Sequence, residues 1–462
     1  MSRLMRCLYC GVLQDEPAGA KTCARCGGEL APEVAPPSVP GGSYLQAQLE
    51  LDQVQAPAGQ NVERYLLLTL RTPAQVPPEH AVAETGRPPL HLAAVLDVSG
   101  SMGGEKLAYA KEALQRALHF LRQGDAISLV TFSTKARGVI EPTSFSAERK
   151  RQVQSLLHEI AADATTALDD GLAMGIEYAG RERRETTLVL LFSDGLANEG
   201  ETDLEKIGQR AAKARSAGIL VSTLGVGDDY NEALMAEVAV QGGGRFYHIQ
   251  QAAEIPACLM RELGEAALLG ARQTVVELDL PAGAAAVSVS PYYRLEQQGQ
   301  TARLEVGDIT LDTELEIPLR LVLPAQSAGT RLGVSGRVRY LSPVGREVGG
   351  PLNGVTVRFV EAGEFERRLG VVAPVVERVA AVRRAAAIFT FARQREIAPG
   401  EAPQVLREEV ESLREYVALV SEEKAQEIER ELTEDAAPAA HSPAAKQRMM
   451  PAIFRIRGDF SG

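Results

Sequence analysis

Residues 90–101 read LHLAAVLDVSGS, and residues 104–121 follow with GEKLAYAKEALQRALHFL. The first stretch is apolar on both faces of an extended chain, which suits a central strand covered by helices on either side. The second places apolar residues at helical spacing. The same strand-then-helix grammar recurs. AISLVTFS (126–133) comes next, then TTLVLLFSDG (186–195) leading into LEKIGQRAAKARSAG (204–218). GILVSTLGVGDD (218–229) and RFYHIQ (245–250) follow, the last before AEIPACLMRELG (253–264). Residues 90–268 therefore predict a doubly wound α/β domain with a mostly parallel sheet.

In such a sheet the binding crevice lies beyond the carboxyl ends of the strands. Three loops there carry chemistry: Asp97-Val98-Ser99-Gly100-Ser101, Ala164-Thr165-Thr166-Ala167-Leu168 and Asp194-Gly195. Asp97, Ser99, Ser101, Thr166 and Asp194 offer oxygen alone. Two carboxylates with serine and threonine hydroxyls, and no cysteine or histidine, make a hard-cation site of the Mg²⁺ type, which Mn²⁺ could also fill.

This pattern closely resembles the von Willebrand A family, a Rossmann-like fold whose metal-ion-dependent adhesion site is read as D-x-S-x-S, a loop threonine and a later aspartate in T/S-D-G. The resemblance implies that Ser99, Ser101 and Thr166 bind the ion through hydroxyls. Asp97 and Asp194 would act largely through waters or through hydrogen bonds to the direct ligands. A position stays free for an acidic residue of a protein partner, which gains a charge-assisted bond by completing the shell. The threonine loop departs from the common Gly-Gly-Thr, so Thr165 stands beside Thr166 as the alternative ligand; Ala-Leu after Thr166 favours the latter.

Other motifs carry less. Gly100 to Lys106 resembles a phosphate loop but lacks its final G-K-[ST], and Gly225-Val226-Gly227 has Tyr230 where a dinucleotide fingerprint needs glycine. The six histidines form no H-E-x-x-H, and no G-x-S-x-G is present. The reading is therefore non-enzymatic; a third possibility, an enzyme whose ion performs chemistry, predicts a general base near Asp97 and turnover of a phosphate ester or nucleotide. Cys258 reads as a small buried hydrophobe. Arg457-Gly458-Asp459 is a tripeptide expected by chance.

Upstream, Cys7, Cys10, Cys23 and Cys26 read C-x2-C, twelve residues, C-x2-C, which is zinc-ligand spacing. Residues 1–30 resemble a zinc ribbon whose Zn²⁺ supplies the stability so short a segment lacks. Residues 31–42, rich in proline and glycine, predict a linker. Period-two alternation in 43–89 (YLQAQLELD, VERYLLLTLRT) returns in 269–362 (RQTVVELDLP, TARLEVGD, TELEIPLRLVLP, RLGVSGRVRYLSP, GVTVRFVEA). Neither stretch of strands before residue 90 makes a core alone, so the economical architecture is one β-sandwich with the α/β domain inserted. Residues 363–435 predict a helical region and 436–462 a flexible tail. An apolar face of Val372, Val375, Val376, Val379 and Val382, interrupted by Arg383 and Arg384, is expected to pack on the sandwich.

The chain has 462 residues, 45% hydrophobic and 24% charged, with formal net charge -12. That balance works against nucleic acid and anionic membranes as partners. No apolar run is long enough to span a bilayer, and the start, MSRLMRCLYCGVL, is unlike a signal peptide, so the cytoplasm is the expected compartment. Function is expected to be metal-dependent protein binding as a scaffold, with no small-molecule substrate. The alternative is a subunit of a larger ATPase-, kinase- or phosphatase-associated assembly.

Overall fold

The structure, a computed structural model, describes residues 43–80, 88–163, 166–194, 199–227, 230–435 and 457. It gives the backbone alone of 2–7, 13–17, 30–32, 265–267 and 434–435. Strand β1 (Ser2–Cys7) pairs antiparallel with β2 (Leu13–Pro17) and with β3 (Leu30–Pro32). Cys7 ends β1, while Cys10, Cys23 and Cys26, most of the linker and Thr165 lie outside the described residues. Next come β4 (Gln46–Leu51), β5 (Gln55–Pro57) and β6 (Val62–Arg71). The chain divides into two compact units, one of Met1–Ala81, Gly270–Ile388 and Pro403–Gly462, the other of Val82–Leu269 and Phe389–Ala402.

The second unit is built on β7 (Leu90–Asp97), β8 (Ala126–Phe132), β9 (Ala136–Ser144), β10 (Thr186–Ser193), β11 (Leu220–Val226) and β12 (Gly243–Ile249), in the order β12-β11-β10-β7-β8-β9. All neighbours are parallel except β9, which runs antiparallel at the edge. Its helices are α1 (Glu105–Phe120), α2 (Ala147–Glu159), α3 (Leu168–Arg181), α4 (Leu204–Ser216), α5 (Glu232–Gln241) and α6 (Ile255–Ala267). Several start where a side chain caps free N–H groups: Ser146 for α2, Asp203 for α4 and Asn231 for α5.

Period two sorts the central strands. Leu90, Leu92, Ala94 and Leu96 of β7 join Leu188, Leu190 and Phe192 of β10 in a core with Leu107, Ala110 and Leu114 of α1 and Leu259 of α6. The alternate residues face α3, which comes very close: a Cβ on Gly175 would stand 2.2 Å from the Val95 side chain, and one on Gly171 2.5 Å from Phe132. Only glycine at these two positions lets the helix lie that near the sheet.

Two elements of this unit escape the sequence pattern. Every residue from Ala233 to Val240 of α5 is buried, so the helix has no polar face and no helical period to read. Strand β9, ARGVIEPTS, is exposed or half-buried except at Ile140 and has no clean alternation, as an edge strand can be.

In the first unit follow β13 (Leu269–Asp279), β14 (Ala285–Ser288), β15 (Arg294–Gln298), β16 (Thr301–Thr310), β17 (Glu314–Leu323), β18 (Arg331–Leu341), β19 (Glu347–Pro351) and β20 (Val355–Val360). One sheet runs β14-β17-β6-β4, the other β15-β16-β13-β18-β20-β5, with β19 on β18. Strand β6 pairs with β17 at every position from Val62↔Leu323 to Arg71↔Glu314, and its Leu66, Leu68 and Leu70 are fully buried.

Helices α7 (Ala373–Ile397), α8 (Ala402–Val417) and α9 (Glu422–Asp435) complete the chain. Pro374 stands in the first turn of α7, where its missing N–H costs nothing. Val375, Val376, Val379 and Val382 are buried as a face, and Arg383 is buried with them. The sequence groups all of 363–435 together, yet residues 389–402 cluster with the α/β unit. The reason includes charge: Arg393 of α7 meets Glu205 at 2.7 Å and the buried Glu237 at 3.5 Å. Of residues 436–462 only Arg457 is described, its guanidinium over the Tyr292 ring and donating to the Asp308 carbonyl at 3.1 Å. Among the described residues no helix is long and apolar enough to cross a membrane.

Candidate metal centre

Strands β7 and β10 are parallel neighbours in register, Leu96 opposite Phe192. The next residue on each, Asp97 and Ser193, therefore shares one face at the carboxyl end of the sheet. Ser193 Oγ donates to Asp97 Oδ2 at 2.6 Å, and the Ser99 N–H donates to Oδ1 at 2.8 Å. Asp97 is fully buried, and burial raises its carboxyl pKa; the nearby Asp194 charge adds to the rise, while the Ser193 and Ser99 bonds oppose it.

Ser99 and Ser101 sit in the tight turn between β7 and α1. Their hydroxyl oxygens are 3.2 Å apart. Ser101 Oγ donates to Asp194 Oδ1 at 2.8 Å, and Lys106, in the first turn of α1, donates its ammonium to Asp194 Oδ2. Asp194 is fully buried and Ser99 almost so, whereas Ser101 is exposed. The cluster thus opens to solvent on the Ser101 side.

Thr166 is buried in a loop held at both ends. The Asp163 N–H donates to the Val98 carbonyl at 2.6 Å, Ser133 Oγ to Asp163 Oδ2 at 3.2 Å, and the Ala167 N–H to the Ser133 carbonyl at 2.6 Å. Immediately after it α3 begins, anchored by the bidentate pair of Arg210 with the buried Asp169 at 2.7 and 2.8 Å.

Of the five oxygen residues expected at the cation site, Asp97, Ser99, Ser101 and Asp194 are joined in one hydrogen-bonded chain, and Thr166 lies in the adjoining pinned loop. Sequence reasoning missed Ser193, Ser133, Asp163 and Lys106. Ser193 had a signal, since period two along β10 puts it on the Asp97 face. Lys106 had only its place in the first turn of the helix.

The donor set fits a divalent ion. Neighbouring corners of an octahedron around Mg²⁺ stand about 3 Å apart, and the Ser99 and Ser101 oxygens match that. Of the two buried carboxylates Asp194 bonds the Lys106 ammonium, while Asp97 accepts from Ser193 Oγ and the Ser99 N–H. Among the described residues no three His, Cys, Asp or Glu side chains gather at one point, so an ion at this end depends on the hydroxyls. Histidines stand apart from the cluster: His91 is buried against Ser128 Oγ at 3.0 Å, and His248 meets the Tyr230 hydroxyl. Burial of Cys258 on α6 raises its thiol pKa.

Residues 91–260 match the von Willebrand factor type A domain. This A domain occupies the α/β unit and carries the hydrogen-bonded cluster at its carboxyl end. In fold the chain is similar to a von Willebrand factor type A protein from Catenulispora acidiphila, with TM-score 0.63 and 15% identity over 93% of this chain and 100% of that one. It is also similar to the ArnB paralog VWA2 from Sulfolobus acidocaldarius, with TM-score 0.57 and 17% identity over 90% and 98%. Among curated proteins it is 28% identical to an uncharacterized protein of Synechocystis sp. over 56% of this chain and 63% of that one. It is 30% identical to human inter-alpha-trypsin inhibitor heavy chain H3 over 36% and 20%. The chain spans less than two thirds of the length of these curated relatives.

Proposed function

We propose that the A domain binds a protein partner through a Mg²⁺ ion at the Asp97–Ser99–Ser101–Asp194 cluster, with no chemistry of its own. The observation that carries this is the run of hydrogen bonds from Ser193 through Asp97 and from Ser99 through Ser101 to Asp194, open at Ser101. Asp194 accepts the Ser101 hydrogen bond, so Ser99 Oγ donates to Ser101 Oγ and one lone pair of the Ser101 hydroxyl is left for an ion. Asp97 fixes the turn by its bond to the Ser99 N–H. Thr166 is the third hydroxyl, supplied by the pinned loop. A divalent ion held by neutral hydroxyls keeps its electrophilicity and would accept an Asp or Glu carboxylate from outside.

In the same reading Cys7, Cys10, Cys23 and Cys26 hold a structural Zn²⁺ in a reducing compartment, the cytoplasm, and the ribbon is a second contact surface. The strands flanking the A domain form one sandwich with the domain as an insertion. The β6–β17 pairing supports this.

The test is Mn²⁺ titration followed by affinity capture from native lysate, using wild type and Ser99→Ala, each with Mg²⁺ and with EDTA. Ser99→Ala is expected to lower Mn²⁺ affinity at least about 100-fold, about 2.7 kcal/mol, and to release the same partners that EDTA releases. Partners retained in all four samples would sink the metal-dependent reading.

A further inference from the structure

Lys106 has no place in the set of oxygen ligands, yet its ammonium is bonded to Asp194 Oδ2, the second oxygen of the carboxylate that accepts from Ser101. The two partners differ in exposure: the Asp194 side chain is fully buried and that of Lys106 about one third exposed. Gly227, in the loop after β11, lies close over it with φ +84°, and a Cβ there would stand 3.4 Å from the Lys106 nitrogen. The lysine is thus held between α1, the end of β10 and the Gly227 backbone, two hydrogen bonds from the Ser101 hydroxyl.

We infer that Lys106 is the positioning residue that makes the A domain hold its ion loosely and its partner's carboxylate tightly; this rests on the metal reading above. The reason is a charge count. Asp97 and Asp194 together would neutralise a divalent ion. Lys106 cancels one of those charges, so the loaded site keeps one net positive charge. Repulsion between the ammonium and the ion weakens metal binding, and the surplus charge strengthens the bond to an incoming carboxylate. A site of this kind binds metal and partner together better than metal alone.

The experiment uses the full chain and Mn²⁺ itself, with free Mn²⁺ read by electron paramagnetic resonance. Lys106→Met keeps length without charge, Lys106→Gln repeats the neutralisation with a polar side chain, Lys106→Arg keeps the charge, and Ser99→Ala defines the signal from this site. Thermal unfolding in EDTA confirms that each variant is folded. Both neutral variants are expected to bind Mn²⁺ at least about tenfold more tightly than wild type, and Lys106→Arg within about twofold. On the Mn²⁺-loaded proteins, relaxation of acetate methyl protons is expected to show weaker acetate binding in the neutral variants. Equal or weaker Mn²⁺ binding by the neutral variants, with Ser99-dependent binding intact in wild type, would overturn the role of Lys106. Absence of any Ser99-dependent Mn²⁺ binding in wild type would overturn the metal reading, and this inference with it.

Discussion

The carboxylates at the ends of β7 and β10 and the guanidinium of Arg383 are both withdrawn from water, and their surroundings answer the charge differently. Arg383 donates from Nε and Nη2 to Glu409 at 3.0 and 2.7 Å and from Nη2 to Ser412 at 2.9 Å. Its face lies over the rings of Tyr65 and Tyr416, 5.4 and 5.7 Å from their centroids. Carboxylate, hydroxyl and ring faces all meet the cation, and nothing in that cluster invites a further ion. At the end of β7 and β10 two buried carboxylates stand among three serine hydroxyls, with one lysine, which bonds Asp194. A buried group whose charge is matched belongs to the scaffold; a cluster with acceptors to spare belongs to a site.

Substitutions should separate the two. Arg383→Ala leaves Glu409 unmatched and the two tyrosines without their cation, so it is expected to cost about 3 kcal/mol in urea unfolding and to leave Mn²⁺ affinity unchanged. Loss of metal binding in this variant would dissolve the distinction. Ser99→Ala is the converse, with metal binding lost and the urea midpoint in EDTA unmoved.

A smaller effect should fall on both readouts at once. Gly175→Ala pushes a methyl into Val95 and lifts α3, whose first turn follows Thr166 directly, so about 2 kcal/mol of stability is expected to go together with several-fold weaker Mn²⁺ binding. If stability falls and affinity does not, Thr166 is no ligand.

His91 represents a third answer, a group buried neutral. Burial pushes its pKa down from 6.5 to about 4, so the unfolded chain binds the extra proton first as pH falls. The stability this contributes is whole above about pH 6.5 and is lost as pH drops toward 4. Between pH 7 and 5 the loss is expected to be about 1–2 kcal/mol, and His91→Gln should flatten that part of the urea midpoint against pH.

The α/β unit was legible because its central strands are apolar on both faces and end on the functional residues, so strand and site are read in one stretch. Asp97, Ser99, Ser101 and Asp194 each lie within a few residues of such an end. Lys106 and Ser133 were not, since their roles depend on loops brought together from distant segments. Helix α5 was lost because complete burial erases periodicity. In the other unit alternation marked the strands, but no local pattern names β17 as the partner of β6. Nor did composition foretell that Arg393 would carry the end of α7 to the acidic side chains of α4 and α5.

That long-range pairing has a consequence during synthesis. Arg71 of β6 and its partner Glu314 of β17 are 243 residues apart. At about 5–20 residues per second, β6 leaves the ribosome roughly 10–50 seconds before the strand that covers it exists. Through that interval Leu66, Leu68 and Leu70 have no native cover from β17, while the α/β unit is made as far as Leu269 and lacks only its later segment, Phe389–Ala402. Strand β6 is therefore expected to need shielding until β17 is made, and a circular permutant opening at residue 90 would reverse the order, so that β6 is made last and meets a β17 already present.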